Sequence, residues 1–364
     1  MSLQKLDIYS LRNIQRASIE PSPNINLIIG ENGSGKSSLL EAIFILGRAR
    51  SFRATHIKQV IQFEKNELIV SGQSMHNSGS ALHLGIKLNG KGRDIRINQE
   101  NCCKADLAYS FPVILIHPKS YKLLDAGPQV RREFLDWGVF NDEDDFLVSW
   151  RKYKKALLQR NSQLKTKQVN HINVWDTELV QYGTIVSRYR KKYLEKLEPI
   201  FFDLSRYFLD FETIELKYIS GWDESENYTQ VLFNDLQKDL RYGFTHSGPH
   251  RCDFQLLING RLSKDFVSRG QLKLLMLALK LSQVKLINLE KYNRVCVLID
   301  DLTAELDVVN KAKLLIYLQK LDCQVFMSTT ELSNFGDLSL IDEFKVFHVE
   351  QGEIKLNGSN TCST

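Results

Sequence analysis

The eight residues Gly30-Glu31-Asn32-Gly33-Ser34-Gly35-Lys36-Ser37 constrain this chain more tightly than any other stretch. They follow the pattern Gly-x-x-x-x-Gly-Lys-Ser. They stand between the apolar run Ile25-Asn26-Leu27-Ile28-Ile29 and a segment in which Leu39, Leu40, Ile43 and Leu46 recur at helical spacing. A strand, a glycine-rich loop and a helix in that order make a phosphate cradle, because glycines let successive backbone N–H groups close around a phosphate at the positive end of a helix. The pattern predicts ATP held by Gly30 to Ser38, with Lys36 bridging the β- and γ-phosphates and the Ser37 hydroxyl ligating Mg²⁺.

Composition sets the frame for that loop. The chain has 364 residues, 43% of them hydrophobic and 25% charged, enough for one large domain or two ordinary ones. Its six cysteines show neither a Cys-x-x-Cys pair nor zinc-ligand spacing, which fits a reducing compartment. Met1 to Lys5 carry no apolar signal core, and no run of about eighteen apolar residues occurs, so the expectation is a cytoplasmic protein without a membrane span. A net charge of +5 permits a polyanionic partner without requiring one.

Along the chain the pattern is α/β with a long interruption. Alternating segments between Leu68 and Ile97, turning at Asn89-Gly90, read as antiparallel strands, and Pro112 to Ile116 as a buried strand. The spacing of Phe146, Trp150, Tyr153 and Leu157, and of Leu179, Tyr182, Val186, Tyr189 and Tyr193, then predicts long helices. Strand and helix signals return from Cys252 onward. The expected division is an N-terminal head part (1–118), an inserted helical arm (119–244) and a C-terminal head part (245–364). The polar helical faces of the arm carry Arg151, Lys152, Lys154, Lys155, Arg160, Lys165 and Lys167, then Arg188, Arg190, Lys191, Lys192 and Lys196; with Arg48, Arg50, Arg53 and Lys58 they are either ordinary solvated surface or candidate contacts for nucleic-acid phosphates, read without base specificity. Trp137, Trp150 and Trp175 lie among Leu and Phe neighbours and read as core.

Val295 to Asp301 is an apolar strand ending in two carboxylates. Asp300 is the candidate for the Mg²⁺ side, and Asp301 the candidate to orient or deprotonate the attacking water. Ser268-Arg269-Gly270-Gln271 opens a long apolar helix upstream of Asp300, and Ala304-Glu305-Leu306-Asp307 follows it. Together they resemble the signature motif and D-loop of ABC-type ATPases. In that superfamily the serine and the helix N-terminus grip, in trans, the γ-phosphate held by another subunit.

The chain then resembles the RecF family of bacterial recombination-repair ATPases, relatives of the SMC proteins. The matching segments are Ser10-Leu11-Arg12-Asn13-Ile14, Gly30 to Ser38, Leu40 to Ile43, Gly47 to Arg53, Gly127-Pro128 with Arg131 to Trp137, Lys155 to Asn161, Ser247-Gly248-Pro249-His250-Arg251 with Asp253, Ser268 to Gln271, and Asp300 to Asp307. The resemblance implies an ABC-type head with a helical arm, an ATP-dependent homodimer, and slow DNA-stimulated hydrolysis. It also implies binding at single-/double-strand junctions or gaps, partnership with RecR and RecO, and loading of RecA. By the same resemblance Arg12 approaches the nucleotide. Three positions depart from expectation: Asp301 stands where many ABC ATPases have Glu, Lys119 follows His117-Pro118 where an acidic residue is expected, and Ser328-Thr329-Thr330 replaces a switch histidine. Thr329 is the sensor candidate. A transporter-associated ATPase subunit would carry a short coupling subdomain, and an SMC-like tether would need sustained heptads; the insert is neither.

Overall fold

The computed structural model describes residues 2–75, 79–90, 92–167, 172–290 and 295–360. Arg294, expected to start a strand, and the tail beyond residue 360 lie outside the described residues. Two compact units emerge: residues 1–120 with 287–364, and residues 121–286.

The first unit opens with β1 (Ser2–Leu11), β2 (Ile14–Ile19), β3 (Ile25–Ile29), α1 (Lys36–Arg48), β4 (Glu67–Met75), β5 (Ala81–Asn89), β6 (Gly92–Ile97), β7 (Glu100–Asn101), α2 (Lys104–Ser110) and β8 (Val113–Ile116). Strands β4 and β5 alternate buried and exposed side chains, and they pair antiparallel within a sheet of order β2-β1-β4-β5-β6-β7. The expected turn at Asn89-Gly90 joins β5 to β6. β3 and β8 are short continuous apolar runs, and they belong to a second sheet covered on both faces.

The second unit comprises α3 (Lys122–Asp125), α4 (Pro128–Asp142), α5 (Phe146–Thr166), α6 (Ile172–Phe208), β9 (Ile214–Ile219), α7 (Tyr228–Tyr242), β10 (Asp253–Ile258), β11 (Arg261–Leu262) and most of α8 (Arg269–Glu290). β9, unpredicted in the arm, pairs antiparallel with β10 from Ile214↔Ile258 to Ile219↔Asp253. This ladder joins residues beyond 244 to the helices before them. The unit therefore runs to Leu286, past the point where the sequence pattern placed the return to the head.

The chain then completes the first unit with β12 (Cys296–Asp300), α9 (Val308–Lys320), β13 (Gln324–Thr329), β14 (Phe344–Glu350) and β15 (Glu353–Asn360). The second sheet has the order β15-β14-β3-β13-β12-β8, with every pair from β14 to β8 parallel. Its register sets Asp300 opposite Ser328, and Ser328 opposite Ile28. α1 contacts strands of both sheets, and Leu39, Leu40, Ile43 and Leu46 are fully buried in one core with Leu6, Ile8 and Leu298. The loop before α1 is thus anchored between two elements that cannot shift without opening that core.

Two basic side chains expected at the arm surface lie inside the second unit. Arg160 is fully buried, donating to Asp176 and Asp239 (both 2.5 Å) and to Thr245 (2.9 Å). Arg190 is buried, with Nε donating to Asp136 (2.8 Å) and Nη1 to the Pro249 carbonyl (2.6 Å). A buried guanidinium needs such partners, because desolvation would otherwise cost several kcal/mol, on the order of 3–5. Arg160 is therefore removed from the candidate DNA contacts.

Candidate nucleotide site and its second half

The phosphate loop leaves β3 through Gly30 at φ +154° and passes Gly33 at +83° and Gly35 at +123° before Lys36 starts α1. A Cβ at Gly30 would lie 2.2 Å from the Val349 carbonyl oxygen, and one at Gly35 would lie 2.9 Å from Asn13 Nδ2, so both positions need glycine. Lys36 is buried, and its Nζ donates to the carbonyls of Gly30 (2.8 Å) and Glu31 (3.0 Å).

Contacts from distant sequence brace the loop from outside. Asn13 Nδ2 donates to Ser34 O (2.8 Å), Ser38 Oγ donates to Asn13 Oδ1 (3.0 Å), and Gly352 N donates to Ser34 O (2.8 Å). Asn13 stands in the Ser10–Ile14 segment that carries the family resemblance, the one sequence signal for it. The sequence marks Gln351-Gly352 as a hairpin turn, which β14 and β15 bear out, but nothing in it marks the contact with the loop; Gly352 turns with φ +87° beside the Asn13 carbonyl.

The parallel register carries the acidic motif to the loop. Ser37 Oγ donates to Asp300 Oδ1 (3.0 Å), and Ser328 Oγ donates to the same oxygen (2.7 Å). A hydroxyl beside a carboxylate is the hard oxygen donor pair that Mg²⁺ takes. Asp301 adopts φ +47°, a left-handed conformation uncommon for a residue with a side chain, and its N–H is held by Ser328. Burial and the adjacent Asp300 push its carboxyl above the usual carboxylate range, against the opposing pull of Lys36. Arg12, Asn13, Asn32, Gly33, Gly35, Lys36, Ser37, Ser38, Arg53 and Asp301 line one cleft of about 280 Å³. The guanidinium of Arg12 bonds the fully buried Glu41, with Nη2 at 3.0 Å, so its position beside the cleft is fixed from below. Arg53 lines the cleft too, which its sequence position did not indicate. Thr329 is fully buried with no hydrogen-bond partner for Oγ1 among the described residues; the hydroxyl that reaches Asp300 belongs to Ser328.

The signature segment is built differently. Ser268, Arg269 and Gly270 are exposed at the start of α8. Ser268 Oγ accepts from Gln271 N (3.2 Å) while Gln271 Oε1 accepts from Ser268 N (2.9 Å), a reciprocal capping box. Asp307 is exposed and caps α9 by accepting from Asn310 N (2.8 Å), which holds its carboxyl below the usual range. Val308 and Val309, next to it, are 79% and 63% exposed.

On α5, Arg151, Lys152, Lys154 and Lys155 are exposed. Lys152 Nζ donates to the Tyr182 hydroxyl (2.9 Å), and Lys154 lies over the Trp150 ring at 5.4 Å. In the segment Gly248 to Arg251, His250 Nδ1 meets the Tyr153 hydroxyl (2.7 Å) and Nε2 meets the Thr245 carbonyl (2.9 Å). Burial pulls its pKa down to about 4, so the ring is a neutral packing element at physiological pH.

A glycine loop on α1, a carboxylate strand two positions away in a parallel sheet, and a serine-capped helix start define an ATPase of the ABC type. The chain belongs to the RecF/RecN/SMC N-terminal domain family, which matches residues 2–355. It is 38% identical over 359 residues to the DNA replication and repair protein RecF of Pseudomonas aeruginosa (strain LESB58), covering 97% of each chain. It is 39% identical over 360 residues to the protein of that name from Azotobacter vinelandii (strain DJ / ATCC BAA-1303), covering 97% of this chain and 98% of the other. The solved structure of the recombination mediator protein RecF-ATP in the RecFOR pathway matches with a TM-score of 0.86 and 27% identity over 98% of each chain. The Smc head domain of Pyrococcus furiosus, at 14% identity and a TM-score of 0.58 over 99% of this chain and 96% of that one, shares the fold.

Proposed function

We propose that this chain is an ATP-dependent DNA-binding protein of recombinational repair and replication-fork maintenance. Two copies close around two ATP molecules on gaps or single-/double-strand junctions, and with RecR and RecO they help to load RecA. The observation that carries the reading is the pairing of Ser37 with Asp300, because it joins the phosphate loop to the acidic strand across 263 residues of sequence. The relatives named for DNA replication and repair, and the RecF-ATP structure, support ATP and DNA as ligands.

In this reading the loop N–H groups and Lys36 hold the phosphates. Ser37 and Asp300 hold Mg²⁺, which when bound neutralises charge on the β- and γ-phosphates. Asp301, beside the cleft with a raised pKa, orients the attacking water and takes its proton. Ser328, bonded to the same carboxylate, senses the γ-phosphate in place of Thr329. Ser268 to Gln271 and Asp307 serve the partner copy's nucleotide; exposure suits such a task. Arg151, Lys152, Lys154 and Lys155 contact DNA phosphates. The two domain-scale tasks map onto a nucleotide head and a mainly helical arm, and the place of work is the cytoplasm. No helix among the described residues is long and apolar enough to cross a membrane.

Titration of the chain with gapped, duplex and single-stranded DNA, with and without ATP, tests this. Tightest binding to gapped DNA with ATP is expected; equal affinity with and without nucleotide would count against a nucleotide-switched clamp.

A further inference from the structure

Helix α1 starts at the phosphate loop and turns an apolar face to the core. Leu39, Leu40, Ala42, Ile43 and Leu46 are fully buried, and Glu41 stands among them with no exposed surface. A carboxylate so placed carries a desolvation cost that an apolar side chain of similar size would not, so packing alone gives no reason for it. Its partners do. The two carboxylate oxygens take the guanidinium of Arg12 through Nε and Nη2, and Oε1 also accepts from the Ser51 hydroxyl. Ser51 Oγ in turn accepts from Arg53 N (2.9 Å) and Ala54 N (2.7 Å). One buried anion thus holds two separate segments, the β1–β2 turn and the loop after α1.

Each segment presents an arginine to the nucleotide cleft, which Arg12 and Arg53 line together with Lys36 and Asp301. Arg12 adopts φ +50°, a left-handed conformation that a residue with a side chain takes only at a cost. Its N–H donates to the Val60 carbonyl (2.9 Å), and its guanidinium is fixed in plane and neutralised by the bidentate bond to Glu41. Arg53 is balanced differently. It is exposed and forms no ion pair among the described residues, so its guanidinium is free to meet an anion in the cleft while Ser51 tethers its backbone.

We propose that Glu41 is a positioning residue for ATP hydrolysis, one that acts through Arg12 and Arg53 by setting their distance and orientation to the polyphosphate. The proposal rests on the ATPase reading above and deepens it. Ground-state grip comes from the loop N–H groups and from Lys36, whose bonds go to Gly30 and Glu31 and not to Glu41. The two arginines add positive charge where the transferring phosphoryl group develops its own, and charge serves there only at a fixed geometry. Loss of Glu41 therefore slows the bound nucleotide's hydrolysis more than it weakens binding.

The test is single-turnover hydrolysis on the full chain, with protein saturating over ATP and DNA present, alongside calorimetric ATP affinity and unfolding curves. Wild type is compared with Glu41→Met, Glu41→Asp, Ser51→Ala, Arg53→Met and Ser51→Ala/Arg53→Met. Glu41→Met should lower the rate roughly tenfold or more, with ATP affinity within about threefold of wild type. Glu41→Asp, which keeps the charge, should recover part of the rate. Ser51→Ala should lower the rate about threefold and add nothing in the Arg53→Met background, a coupling that a merely structural role would not produce. If Glu41→Met does not fold, the cycle of Ser51→Ala with Arg53→Met decides alone. A wild-type rate in folded Glu41→Met, or effects of Ser51→Ala and Arg53→Met that simply multiply, would overturn the assignment and leave the ATPase reading standing. Absence of hydrolysis by wild type would remove both.

Discussion

The phosphate loop and the signature segment are both glycine-bearing helix starts, yet the protein holds them in opposite ways. The loop is clamped by Asn13, Gly352 and Asp300, all distant in sequence, and Lys36 is buried. Ser268 and Gln271 hold each other through the capping box and Leu272 N donates to Ser268 O (2.9 Å), all local contacts, and Ser268 to Gly270 face outward. A site that must hold its ligand before a second copy completes it is preorganised by long-range contacts. A surface proposed to act on another chain's ligand needs only a rigid local cap and access to solvent.

Substitutions can break this contrast in graded steps. Asp301→Asn removes the proton acceptor and should lower hydrolysis by ~10²–10⁴-fold while ATP still binds, as read in single-turnover assays. Because the raised pKa means Asp301 is protonated as pH falls through a range above the ordinary carboxylate value, wild-type hydrolysis should lose activity on that acidic limb, and Asp301→Asn should lack the limb. Lys36→Ala removes a charged phosphate partner and should weaken ATP binding about 100-fold by calorimetry. Arg160→Met leaves Asp239 buried without its guanidinium, held only by His246, which should cost ~3–5 kcal/mol in denaturant unfolding of the second unit. The depressed pKa of His250 gives a smaller effect. The unfolded chain binds its proton below the usual value near 6.5 while the folded ring stays neutral down to about 4, so stability should fall with pH across that window by ~3 kcal/mol, an effect His250→Asn should lack in unfolding curves. Asn13→Ala should be mildest, weakening ATP binding roughly fivefold through a looser loop.

Contiguity explains what the sequence made legible. Gly30 to Ser37, Val295 to Asp301 and Ser268 to Gln271 are unbroken motifs whose neighbours already state strand or helix, and the structure bears out the α/β class and these elements. Glu41, Ser328 and Gly352 matter through partners far along the chain, and no local pattern records such pairings. Arg160 looked like any basic residue on a helix because the two carboxylates that bury it arrive from α6 and α7. β9 escaped notice because a six-residue alternation between long helices is a weak signal, and with it went the extent of the second unit.

The central claim is that each loop is half of an ATP site completed by a second copy. Hydrolysis per mole of chain, measured against protein concentration for wild type and Ser268→Arg, addresses it most directly. Specific activity should rise with concentration for wild type and stay low and flat for Ser268→Arg, with equal ATP affinity in both. Constant specific activity down to concentrations at which sedimentation shows only monomer, unaltered by Ser268→Arg, would contradict it.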